Sequence, residues 1–281
     1  MAKRLLITDL DNTLYDWVTY FARSFSAMVI ELARILETGL PVLLEEFREV
    51  HRKFGDSERP FAAFALPSVR QRFPGLGPRE LKDRLDPAFH AFNSQRKRHL
   101  RLYDGVATTL AALRQNGVTI VGHTEAMAVN AWFRLSYLGV AGHFKHLYAL
   151  ENHIDEHPLA RPLLIPPPKD FIQFVPRAER KPNPLLLLDI CRREKVAVAE
   201  AAYIGDSMTR DISMARAAGV HSTLALYGRS YSVEDWHTLV AVTHWTEEDV
   251  RREEALRSRC VNERPDAKAA NFAELVDLFH V

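Results

Sequence analysis

The sequence predicts an α/β protein, with a parallel-sheet core interrupted by one long helical insertion. A short apolar run, Arg4 to Thr8, ends at an acidic pair, Asp9 and Asp11. After Tyr103, short apolar runs alternate with segments of helical period, the pattern of a parallel sheet covered on both faces. Between these regions, residues 16–99 carry helical periodicity and no clear run of alternating strands.

Arg4 to Thr8 reads as a short buried strand. From Trp17 the period becomes helical: Phe21, Met28, Leu32 and Ile35 recur until Gly39 and Pro41 end the segment. A second helical pattern runs through Val42, Leu43, Phe47 and Val50, and a third from Arg79 to Phe92. Phe61, Phe64, Phe73, Phe89 and Phe92 lie in this insertion. Core packing is their expected role, and a substrate pocket the alternative. In the second half, Val106–Gln115 and Asn130–Leu138 read as helices stopped by Gly117 and Gly139. Pro184–Arg193 and Asp211–Ala218 read likewise, the latter stopped by Gly219. Val118–Gly122, Leu147–Leu150, Ala201–Ile204 and Val220–Leu226 read as strands. Residues 151–178 carry Pro158, Pro162, Pro166, Pro167, Pro168 and Pro176, which block helix and central strand alike, so a long loop is expected. Residues 231–281 carry charged helical patterns, Glu247–Leu256 and Phe272–Phe279, and read as a helical extension.

With 281 residues, the chain forms one large domain or two moderate ones, at roughly 100–200 residues each. Its hydrophobic content of 47% supplies a core that needs no disulfide framework. The presence of only two cysteines, Cys191 and Cys260, agrees with that and with a reducing compartment. The first residues lack the pattern of a signal peptide. No apolar stretch approaches the ~18 residues of a membrane span, so a cytoplasmic location is expected. A formal net charge of +1 gives no bulk attraction to nucleic acid or to a membrane surface. The basic run Arg96-Lys97-Arg98 reads as a solvated face.

Ligands of a parallel sheet sit beyond the carboxyl ends of its strands, and four features fall there. Asp9 and Asp11 follow the first strand, and alternation along an extended chain points both the same way. Two such close carboxylates need a cation, a shared proton or a strong hydrogen-bond network, and a hard divalent ion supplies the first. The alternative is an acidic pair that merely precedes a helix. Gly205-Asp206-Ser207 follows the strand Ala201–Ile204, with Asp211 placed to start or cap the next helix. Lys181, after the proline-rich segment, offers a compact charge suited to phosphate, or else a solvated surface lysine. Thr124 stands just after the strand Val118–Gly122, where a hydroxyl and backbone N–H groups can hold a phosphate oxygen. His153 and His157, four apart, could share a helical face and a metal. Pro158 follows them directly and no third ligand is evident.

Taken together, the set resembles the haloacid dehalogenase-like superfamily, whose motifs are Asp-x-Asp-x-Thr, a Ser or Thr after the second strand, a Lys, and an acidic Gly-Asp. The matching residues are Asp9, Asp11 and Thr13; Thr124; Lys181; and Asp206 with Asp211. The resemblance covers about residues 4–15 and 100–228. It implies a Rossmann-like core over 1–15 and 100–230, a helical cap at 16–99 that covers the site, and a C-terminal extension at 231–281. It also implies a magnesium-dependent phosphohydrolase acting on a small phosphorylated metabolite. Asp9 would be the nucleophile that forms an aspartyl-phosphate, and Asp11 the acid and base. The carboxylates of Asp9 and Asp206, with the Asp11 backbone carbonyl, would hold Mg2+, supported by Asp211. Thr124 and Lys181 would bind the phosphoryl oxygens. Dehalogenases of this family lack an aspartate at the position of Asp11, because a halide leaves without a proton; an alkoxide needs one. Alternatives on the same fold are a phosphotransferase or mutase using the same intermediate, or a non-catalytic binding protein. The sequence departs from the family at Glu125, where Asn is frequent, and in the length of 151–178. A carboxylate at 125 would repel a phosphate unless it points away or meets a cation.

Overall fold

A computed structural model describes residues 2–59, 61–151 and 166–280. Among these residues the core is a seven-stranded, all-parallel sheet. Its strands are β1 (Leu5–Thr8), β2 (Thr119–Met127), β3 (His146–Leu150), β4 (Ile172–Val175), β5 (Ala201–Gly205), β6 (His221–Ala225) and β7 (Ala267–Ala269). They lie in the order β4-β3-β2-β1-β5-β6-β7, so β1 is central and its four residues are buried. An uninterrupted apolar run suits a strand covered on both faces. Leu6 packs into the core on one face of the sheet, and Leu5 and Ile7 into the core on the other.

The insertion after β1 contains α1 (Trp17–Leu36), α2 (Leu40–Phe54), α3 (Pro67–Arg72), α4 (Pro78–Arg84) and α5 (Asp86–His99). The side chain of Asp16 accepts from the Thr19 N–H and starts α1; Gly55, at φ 65°, ends α2 in the left-handed region that glycine tolerates. Phe61, Phe64 and Phe89 pack on one another with centroids 5.1 to 5.7 Å apart and join the main core cluster, as do Phe73 and Phe92. The core-packing expectation for these five rings therefore holds.

The sheet is covered by α6 (Val106–Gln115), α7 (Ala128–Tyr137), α8 (Pro184–Glu194) and α9 (Ser213–Ala217), and the chain continues into α10 (Val233–Val242), α11 (Glu247–Arg259) and α12 (Leu275–Phe279). No helix among the described residues is long and apolar enough to cross a membrane.

Three expectations need correction. The proline-rich segment is not loop throughout: β4 forms at the sheet edge between Pro168 and Pro176, a place where neighbouring prolines cost no interior ladder bonds. The C-terminal segment is not only helical. It supplies β7 at the opposite edge, and Phe272, Leu275 and Phe279 bury there. Finally, β2 runs beyond Gly122 to Met127, with a register irregularity between His123 and Met127. His153 and His157 lie outside the described residues.

The C-terminal segment also binds the insertion to the core. Arg23 pairs with Asp235 at 2.8 Å, Arg48 Nε donates to the Ala241 carbonyl at 2.9 Å, and Ser57 Oγ lies 2.9 Å from His244 Nδ1.

Candidate active site

The site forms at the carboxyl ends of β1, β2 and β5. Asp9 is the first residue after β1, and its N–H bonds to the Ile204 carbonyl at 2.9 Å. The chain then turns sharply, with Asn12 at φ 58°, a conformation that asparagine accepts better than most residues. Asn12 Oδ1 accepts from the N–H groups of Trp17 and Val18 at 3.1 and 3.3 Å, which fixes the entry into α1. Gly228 closes over this turn: a Cβ there would stand 1.7 Å from the Asn12 carbonyl oxygen.

Both oxygens of Asp9 are engaged. Thr13 Oγ1 donates to Oδ2 at 3.0 Å and Lys181 Nζ donates to Oδ1 at 2.6 Å. Lys181 also donates to Asp211 Oδ1 at 2.8 Å. Tyr203 Oη donates to the same Asp211 oxygen at 3.0 Å, and the Ser207 N–H donates to Oδ2 at 3.0 Å. Gly205 makes this packing possible, since a Cβ there would meet the Asp211 carboxyl carbon at 2.4 Å. Asp211 starts the next helix, one of the two roles its position suggests, and is not its cap. It lies within a π-turn, Met208–Ile212, whose cap is Ser207, accepting from the Arg210 N–H at 3.2 Å.

Asp9, Asp206 and Asp211 each offer a carboxylate oxygen within 4.8 Å of the others. Burial is the main cause that raises Asp9 to about 7; repulsion by Asp211 and Asp11 adds to it, and Lys181 opposes it. Asp206 is pushed up too, by burial first and then by Asp9 and Asp211. Three carboxylates around one lysine leave excess negative charge that a divalent cation with oxygen ligands fits. The Asp11 carboxylate is not in this group. It is bonded instead by Arg134 Nη1 at 2.8 Å. Burial is again the first cause that raises Asp11, and Arg134 opposes it.

Thr124 occupies the part of β2 where the register with β3 shifts, between His123 and Met127. It is buried, and its Oγ1 accepts from the Ala126 N–H at 3.0 Å. Glu125 meets a cation: Arg210 Nη1 lies 2.9 Å from Oε2. Arg210 also bonds Glu253 of α11 at 3.3 Å. Arg252, on the same helix, donates to the Lys181 carbonyl at 2.8 Å.

Arg134, Glu58, Tyr203, Arg210 and Arg252 had no role in the sequence reading. One of them left a signal. Arg134 shares a helical face with the apolar Ala131 and Leu135, and an arginine within such a stripe calls for a buried acidic partner.

The profile for haloacid dehalogenase-like hydrolases matches residues 3–219, and a HAD-hydrolase-like profile matches 178–275. A glyceraldehyde 3-phosphate phosphatase from Methanopyrus kandleri is 25% identical over 82% of this chain and 87% of its own length. A phosphoglycolate phosphatase from Xanthomonas campestris is 29% identical over 83% and 87%. The fold is similar to that of a 2-haloacid dehalogenase from Pseudomonas syringae, with a TM-score of 0.55 at 20% identity over 100% of this chain and 99% of the other. It is also similar to the Bacillus subtilis HAD hydrolase YfnB, with a TM-score of 0.53 at 14% identity over the full length of both. With its profile match, its parallel sheet and its helical insertion after the first strand, the chain belongs to the haloacid dehalogenase-like hydrolases.

Proposed function

We propose that the protein is a magnesium-dependent phosphohydrolase that cleaves a small phosphate monoester through an aspartyl-phosphate on Asp9. The observation that carries this reading is the division of labour between two aspartates. Asp9 is gripped by Thr13 and Lys181 beside the carboxylates of Asp206 and Asp211, whereas Asp11 stands apart on Arg134. A carboxylate nucleophile splits hydrolysis into two easier steps. An Asp9 oxygen forms the bond to phosphorus as the ester P–O bond breaks, and Asp11 gives its proton to the leaving oxygen. Asp11, now ionised, takes a proton from the water that attacks phosphorus. The bond to Asp9 then breaks and phosphate leaves. Lys181 and Thr124 hold phosphoryl oxygens in line, with Lys181 exchanging part of its bonding from Asp9 to the substrate. Asp9, Asp206 and the Asp11 carbonyl would hold Mg2+, with Asp211 in support, and the ion supplies charge neutralisation at the phosphoryl oxygens.

The helical insertion, residues 16–99, acts as the cap that excludes water. The relatives named for phosphorylated two- and three-carbon compounds support a small metabolite as substrate. Phosphate release from an aryl phosphate tests the reading. Activity should vanish with a chelator and return with Mg2+, whereas full activity in metal-free buffer contradicts it.

A further inference from the structure

Glu58 belongs to the insertion, between α2 and the turn at Ala62–Ala65, yet its carboxylate is held at the active site. Trp17 Nε1 donates to Oε1 at 2.6 Å, and Asn130 Nδ2, from α7 of the core, donates to Oε2 at 3.3 Å. Arg134 Nη2 also donates to Oε1, while Nη1 of the same guanidinium donates to Asp11 at 2.8 Å. One guanidinium therefore links the carboxylate of the insertion to the carboxylate beside the leaving group.

Charge and access at this end of the site follow from that link. The Arg134 side chain is 2% exposed, but those of Asp11 and Glu58 are 24% and 15% exposed. The accessible space is thus bordered by carboxylates, with the cation behind them. Even when Asp11 holds the proton that the leaving group needs, Glu58 still matches the charge on Arg134. The neighbouring Arg59 lies over the Phe54 ring at 3.7 Å and is matched by Asp56. Lys181 is committed to Asp9 and Asp211. A carboxylate on the leaving group would meet Glu58 here, whereas a hydroxyl would find an acceptor.

We propose that Glu58 sets leaving-group specificity: it accepts hydrogen bonds from an uncharged, hydroxylated leaving alcohol and disfavours one that carries a carboxylate. This rests on the phosphatase reading above, and it separates the chain from a relative named for a carboxylate-bearing substrate.

The test compares 2-hydroxyethyl phosphate with 2-phosphoglycolate, which differ by a hydroxymethyl group in place of a carboxylate. The ratio of their kcat/KM values, measured with Mg2+ in one preparation, does not depend on the fraction of protein that is folded. Wild type should favour 2-hydroxyethyl phosphate by about tenfold, less than a bare like charge at close range would give because Arg134 offsets part of the Glu58 charge. Glu58→Gln, which keeps size and one acceptor, should reduce that ratio about tenfold. A wild-type ratio near one, or in favour of 2-phosphoglycolate, overturns the proposal whatever the variant does. So does an unchanged ratio in Glu58→Gln. Aryl phosphate serves as the control: turnover of it with the wrong ratio sinks the Glu58 role alone, and no turnover of any ester sinks the phosphatase reading and this inference together.

Discussion

Arg210 pairs with Glu125 at 2.9 Å, so the carboxylate beside Thr124 is neutralised from the π-turn after β5. The family departure at residue 125 is thus matched within the same chain. Glu253 of α11 shares the guanidinium, and Trp245 lies 5.1 Å from it.

That pairing predicts non-additive kinetics. Arg210→Gln removes the Glu125 partner beside the proposed phosphate site and should lower kcat/KM about tenfold or more. Adding Glu125→Gln to that variant should recover part of the loss, because breaking a partly buried pair costs more than removing both charges. A double-mutant cycle on kcat/KM checks this; purely additive losses would mean that Glu125 exerts no field on the phosphate.

The missing side chain of Gly205 leaves the space that the Asp211 carboxyl group occupies. A methyl group there would stand 2.4 Å from the Asp211 carboxyl carbon. Gly205→Ala should therefore displace Asp211, deprive Lys181 of one partner and lower kcat about 100-fold, on the scale of losing one electrostatic contact to the transition state. Gly142→Ala is the control, since a Cβ there meets nothing within 4 Å. Equal activity in the two variants would contradict this view of the turn.

Metal binding and pH should be linked through Asp9. Burial raises this group from 3.8 to about 7, so the metal-free folded state keeps a proton that the unfolded chain releases. Its contribution to stability is full below about pH 4 and declines as pH rises to about 7. Mg2+ competes with that proton for the carboxylates, so stabilisation by the ion grows across the same window. Calorimetry should show a larger rise in Tm on adding Mg2+ at pH 8 than at pH 5. An equal rise at both pH values would separate the ion from Asp9.

Asp11 should differ from Asp9 in its leaving-group dependence. The amide of Asp11→Asn keeps the backbone carbonyl and the size but cannot move the proton. For an alkyl phosphate the first step should slow about 100- to 10,000-fold, as expected for loss of general acid catalysis. An aryl phosphate should suffer less in that step, and the phosphorylated protein should accumulate because its hydrolysis still needs a base. Equal losses on both substrates, without accumulation, would assign the proton transfer elsewhere.

The sheet centre was legible because its strands are apolar runs ending at acidic residues of the candidate site: Leu5–Thr8 leads to Asp9, and Ala201–Gly205 to Asp206. The outer strands were not. Ala267–Ala269 is three residues with a lysine in the middle, and its ladder rests on β6 rather than on its own pattern. Ile172–Val175 is flanked by prolines that speak against strand everywhere except at an edge. The motif residues could be aligned in order along the chain, but their partners could not. Arg134 reaches Asp11 across 123 residues of sequence, and the side chains of Arg210 and Glu253 meet across 43. Such pairs are made by topology, and no local period records them.

The most direct measurement is rapid-quench mass spectrometry on the protein mixed with an aryl phosphate and Mg2+. A phosphoryl adduct should appear within the first turnover on the peptide that contains Asp9. It should be lost, together with turnover, in Asp9→Asn. An adduct on another residue, or turnover that survives Asp9→Asn, would contradict the account.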